Sequence, residues 1–228
     1  MTTQETLDFF HPGHSKWAKT GTRWHDTVRE KLPEIPWSDK TEIKAQHLSF
    51  YPDITFLMAK DPAWEPGNAF VYMLEHAGEL TLLNGTSPPI HALNGDGLLD
   101  LNQDTVIDYL RFFTFFVRGE EGPFYIATTL DAPYAPDVLR AGGPGDHAET
   151  QEIFANIHQS VRSFGRDQDG NWLVSVTVVY SNAVFISDFI IQPTGMIEMK
   201  DDTPVMADLP SKIDAPLQPD RAIAGTLH

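Results

Sequence analysis

The chain has 228 residues, 41% of them hydrophobic, which is enough to bury a sizeable core and excludes disorder along its whole length. Its formal net charge of −16 repels phosphate backbones and anionic membrane surfaces, and the 16 basic residues are scattered, so binding to nucleic acid or membrane is not expected. The absence of cysteine excludes disulfides, thiolate metal sites and a cysteine nucleophile, and leans toward the cytoplasm.

Residues 1–44 are polar and broken by Pro12, Pro33 and Pro36, and read as a helical lead-in. Its opening has neither the positive start nor the apolar stretch of a signal peptide. Ser15 is suited to cap a helix running to Leu32, with Trp17, Trp24, Val28 and Leu32 on one face and Gly21 weakening its middle. A single α+β domain is expected over 45–207. His47–Tyr51 and Ile54–Ala59 read as strands around a turn at Pro52-Asp53, and 69–74 and 79–83 as a hairpin looping through 75–78. A short apolar run, Ile90–Leu93, follows the break at 86–89.

The strongest element is a helix at 102–118. Asn102 suits the N-cap, Asp104 the first turn, and Arg118-Gly119 the C-terminus. Val106, Leu110, Phe113 and Val117 form one apolar stripe, and Tyr109, Phe112 and Phe116 a second. The polar seam of Asp104, Asp108, Arg111 and Arg118 is narrow, so the helix must be covered on most of its circumference. Phe115 interrupts that seam and is either covered by its own chain or left for a partner.

A strand follows at 124–129, a Pro/Gly-rich loop at 131–146, and a helix from a capping box at Asp146 and Glu149 to Ile157. An antiparallel meander over 159–166, 172–180, 184–191 and 196–199 follows, with one clearly apolar face. Residues 208–228 read as a Pro-spaced, poorly ordered tail. A faint echo between 70–90 and 185–205 leaves open two similar β halves around the central helix.

Four clusters carry chemistry worth weighing. Asn94-Gly95-Asp96-Gly97-Leu98-Leu99-Asp100 resembles the calcium loop of EF-hand and dockerin proteins, with Asn94, Asp96 and Asp100 at the third, fifth and ninth positions. It departs at both ends, with Ala92 first and Gln103 twelfth; the alternative is a metal-free turn before a helix. His11, His14 and His25 supply imidazoles for zinc or nickel without a third ligand fixed by spacing. The glycines at 142–145 lack the lysine of a phosphate loop, and Asp146 repels phosphate there. Around the helix end, Glu120 or Glu121 offers an acid or base, His91 a partner and Arg111 an anion holder, with Tyr109 beside them. The competing reading is a helix-ending turn with solvated glutamates.

The run Asp108–Phe124, DYLRFFTFFVRGEEGPF, resembles a segment of uncharacterised bacterial proteins that join a Tyr-Leu-Arg-Phe-Phe helix to a Gly-Glu-x-Gly-Pro-Phe turn. The resemblance implies a bacterial cytosolic origin and brings no activity or cofactor. The fold expected is α+β, a curved, mainly antiparallel sheet, in one piece or two halves, packed on the 102–118 helix. A cone-like sheet of the cystatin or nuclear-transport-factor type is one candidate architecture. Two functions remain open: a cytosolic binding or protein-interaction module, with a protein partner or as a homodimer, and a small-molecule hydrolase or isomerase with a pocket between sheet and helix.

Overall fold

The computed structural model describes residues 17–67, 69–126, 148–157, 163–210, 215–217 and 219. The α+β class read from the sequence is the class that forms. Among the described residues there are two antiparallel sheets of five strands each and four helices. The chain divides into two compact units. In described residues, one holds 17–100 with 215–217 and 219, and the other holds 101–210. The boundary expected between 44 and 45 falls inside a strand.

The first unit is a meander in chain order: β1 (Ala18–Lys19), β2 (Glu42–Leu48), β3 (Tyr51–Lys60), β4 (Val71–His76) and β5 (Glu79–Leu82). Helix α1 (His25–Lys31) lies between β1 and β2, and α2 (Pro88–Gly95) follows β5. The expected long N-terminal helix is shorter, because Gly21 adopts φ 58° and the chain before it pairs with β2 instead. Trp24, Val28 and Leu32 still point inward, onto Ile43, Leu57, Val71 and Met73. Trp17 leaves that stripe and packs its ring 5.1 Å from Phe56. Central strand β3 buries four successive residues, Phe56 to Ala59, so both its faces are covered.

Turn chemistry sets the register. The β2–β3 turn falls at Ser49-Phe50, three residues earlier than the expected Pro52-Asp53, and those two residues lie in β3. The β4–β5 hairpin closes through Ala77 and Gly78 at φ 51° and 85°, the left-handed pair that matches strand twist in a two-residue turn. The Ile90–Leu93 run lies in helix α2, which opens on Pro88 and Pro89 where the missing N–H groups cost nothing. A polar clasp fixes the loop before β2. Buried Asp61 accepts from Ser38 Oγ at 2.5 Å, Thr41 Oγ1 at 2.6 Å and the Ala63 N–H at 2.8 Å. Burial alone would raise its pKa, but these bonds outweigh it and hold the carboxyl below its usual value. Part of the tail is bonded: the Phe70 N–H donates to the Pro216 carbonyl, and Leu217 is buried.

The second unit opens with α3 (Val106–Phe116), then β6 (Tyr125–Ile126), α4 (Ala148–Ile157), β7 (Ser163–Arg166), β8 (Trp172–Tyr180), β9 (Ala183–Ile191) and β10 (Ile197–Met206). The sheet runs β10-β9-β8, and β6 and β7 both pair with β8, β7 along 172–175 and β6 along 178–179. Trp172, Val174, Val176 and Val178 are buried, the alternation read from the sequence. Strand β10 is far longer than the expected 196–199, because Pro204 is accommodated at the sheet margin beside an irregular register. The Asp146 cap and the loop at 131–146 lie outside the described residues, as do 127–129 of the expected strand at 124–129.

Candidate functional site

A reciprocally bonded turn at 102–105 leads into helix α3. Asn102 Oδ1 accepts from the Asp104 N–H at 2.9 Å, and Thr105 Oγ1 accepts from the Asn102 N–H at 2.9 Å. The Asn102 carbonyl also accepts from the Val106 N–H at 3.1 Å. The expected N-cap at Asn102 thus closes the turn before the helix, whose own N-cap is Thr105 without a side-chain cap bond, and regular helix spans 106–116 rather than 102–118. Two bonds tie the helix to its own unit: Tyr109 Oη donates to the Gly195 carbonyl at 2.7 Å, and the Phe124 N–H to the Thr114 carbonyl at 3.1 Å.

The polar seam of α3 is not a solvated strip. Arg111 Nη1 donates to Asp108 Oδ1 at 3.3 Å, with side chains only 6% and 13% exposed. The i, i+3 spacing places the two groups together on the helix surface. Burial disfavours both charges. It raises the Asp108 carboxyl to about 6 against the opposing pull of Arg111. It lowers the Arg111 pKa against the pull of Asp108 and of Tyr125 on β6. A carboxyl titrating near 6 beside a guanidinium can exchange a proton near neutral pH.

Phe115 takes the first of its two alternatives. It is 1% exposed, packs edge-on to Phe116 with centroids 5.1 Å apart, and lies 5.2 Å from the Arg118 guanidinium. The expectation that it forms a binding face is corrected: a carboxylate at 115 would enter the core, and substitution there tests the fold rather than an interface. Tyr109 is likewise buried. The helix ends where Arg118 Nε donates to the Phe115 carbonyl at 3.2 Å.

Glu120 and Glu121 occupy the tip of a tight turn and are exposed. Gly119 and Gly122 exchange backbone bonds of 3.1 and 3.2 Å across it. The Glu121 N–H donates to Tyr180 Oη at 3.0 Å, and the Tyr180 ring stacks on Phe124 at 4.2 Å. Glycine is required at 119 because a Cβ there would stand 2.9 Å from Tyr180 Cζ. Arg111 engages Asp108 three residues earlier. His91 belongs to the other unit, on α2.

The calcium-like loop takes another form. Asn94 and Gly95 complete the last turn of α2, and Asp96 is the residue that ends it. The Asn94 side-chain oxygen accepts from Tyr51 Oη at 2.6 Å, and Asp96 and Asp100 are exposed. Asp100 is instead held by its N–H, which donates to the Phe50 carbonyl. A calcium loop needs these side chains turned toward one point; here the first is spent on a tyrosine. Among the described residues no three His, Asp or Glu side chains are grouped to hold a metal ion. His25 begins α1, and His11 and His14 lie outside the described residues.

Sequence reasoning passed over Asp108 as a site residue, although the narrow seam of the helical wheel was the available signal. The large apolar side chains that stay exposed were also missed. Phe164, Leu173, Met196 and Met199 are 37–45% exposed and lie toward the end of the second sheet where β7 ends and β8 and β10 begin, Phe164 and Met199 on one face by register and Leu173 on the other. Phe164, Val174, Phe189 and Met199 form one cross-strand row, in which the middle two are buried and the outer two exposed. Arg166 lies 3.6 Å over the Trp172 ring, which stacks on Phe164. No family model matches the chain, and no curated protein or solved structure matches it.

Proposed function

We propose that the chain is a protein-interaction module that engages a protein partner through this end of the second sheet. Phe164 and Met199, exposed at the two margins of one face of the sheet, carry the reading. Large apolar side chains left exposed at both margins of one sheet face give a partner apolar area to cover. Methionines suit such a surface because their flexible thioethers adapt to the partner. The stack of Arg166, Trp172 and Phe164 holds the aromatic rim rigid and lowers the ordering cost of contact.

Quantitative pull-down from native cells with tagged wild-type chain and a Phe164→Ser/Met199→Ser variant tests it. The expected result is a partner recovered by wild type and lost by a variant with unchanged circular dichroism. A partner recovered equally by both would sink the reading. Sedimentation of both proteins separates a second copy from a different protein.

A second reading, a small-molecule hydrolase or isomerase, is favoured by the Asp108 carboxyl at about 6 beside Arg111. In it Asp108 takes the acid or base role first considered for Glu120 and Glu121. Turnover on a panel of ester and ketone substrates that Asp108→Asn abolishes would favour it; turnover insensitive to that change would count against it.

A further inference from the structure

The partner's chemistry can be narrowed from strand β10, and this step rests on the interaction-module reading above. We infer that β10 accepts a basic, extended segment of another protein as an added antiparallel or parallel strand. Among the described residues β10 has one sheet neighbour, β9, and residues 198–204 along it are all exposed. Its outer edge presents backbone donors and acceptors to any strand that can meet its side chains.

Those side chains select by charge. Asp201 sits in register opposite Asp188 of β9, and both are exposed. Like charges directly opposite on adjacent strands destabilise a sheet. Glu198 lies on the same face by register, partly offset by Lys200 at 3.1 Å, and Asp202 adds a carboxylate on the other face. A lysine or arginine on an added strand would extend the row Asp188–Asp201 with the opposite sign and relieve the repulsion. An identical edge from a second copy would set carboxylates against carboxylates, so the same residues disfavour self-pairing. The register shifts beside Lys200 and Val205, together with Pro204, confine regular pairing to short stretches and guard against indiscriminate addition. Met199, and Met196 in the preceding turn, give the incoming strand apolar contacts.

The full chain, labelled with nitrogen-15, would be titrated with a peptide of about ten residues alternating Lys and Val, and with its Glu–Val counterpart. The inference expects saturable shifts and slowed amide exchange along 197–206 with the Lys peptide and none with the Glu peptide. Asp201→Lys should weaken the Lys peptide about tenfold or more. The same substitution places opposite charges across β9 and β10, so its melting temperature should hold or rise, which separates lost binding from lost fold. Shifts spread over the acidic surface without protection in β10, or unchanged affinity of Asp201→Lys, would overturn the inference. The native-cell assay distinguishes the two levels. A partner lost on Phe164→Ser/Met199→Ser but retained by Asp201→Lys removes the basic-strand inference and leaves the interaction surface. A partner retained by both variants removes both.

Discussion

Asp108 is ionised at neutral pH at a cost, because its carboxyl is nearly enclosed, with Arg111 beside it as a counter-charge. Its folded pKa of about 6 lies above the ordinary 3.8, so the folded chain holds the proton more tightly than the unfolded chain does. The contribution to stability is therefore complete below about 3.8 and is lost as pH rises through about 6. Asp108→Asn removes this titration. Relative to that variant, the wild type should gain stability on going from pH 7 to pH 4.5, by on the order of 2 kcal/mol. Urea unfolding of both proteins at the two pH values measures the difference, and parallel pH profiles would show that Asp108 is not the group responsible. The sequence displayed Asp108 and Arg111 on one helical stripe, yet nothing in a helical wheel says whether a narrow seam faces water or is covered. Asp61 was less legible still: its partners, Ser38 and Thr41, lie more than twenty positions away or at that distance in sequence, and only folding brings them to it.

At the scale of elements, the turn after α3 depends on one close approach. Tyr180 reaches from β8 over Gly119, accepts from the Glu121 N–H and stacks on Phe124. Gly119→Ala would force the ring away from a position held on two sides. A loss of about 1–3 kcal/mol is expected from such overpacking. Adding Tyr180→Phe removes the hydroxyl nearest the new methyl group and should restore part of that loss in a double-mutant cycle by thermal melts. Additive effects would mean that the two positions do not meet. Local signals explain why the elements were largely readable. Alternation set β8, and the apolar stripes set the body of α3, because both are decided within a few residues. The failures came where pairing partners overruled local preference. Pro52 and Asp53 read as a turn but lie within β3, in the register shift between its pairs His47↔Thr55 and Leu48↔Tyr51 with β2. The residues before Gly21 read as helix but gained a strand partner.

On the scale of the whole molecule, the first unit is made of two separated stretches, and the second lies between them in sequence. Residues read as a loose tail return to the first unit, where Pro216 accepts from Phe70 and Leu217 packs beside Gly85. Ending the chain after Pro210 should therefore weaken the first unit by about 3 kcal/mol, from one buried leucine and one backbone bond. Hydrogen exchange at β3 and β4 would report it as faster opening, and unchanged protection there would show that the returning stretch contributes nothing. No local pattern announces such a return, because a short Pro-spaced stretch looks the same whether it is bonded or solvated.

That return also sets how the molecule would carry a mechanical load. A pull applied at Trp17 and Leu217 enters and leaves through the same unit. Tension would run across the Phe70–Pro216 hydrogen bond, which ties the returning stretch to the first unit. In a force spectrometer the first rupture should thus lengthen the chain by little, and only after residues 215–217 detach should the 101–210 unit come under strain.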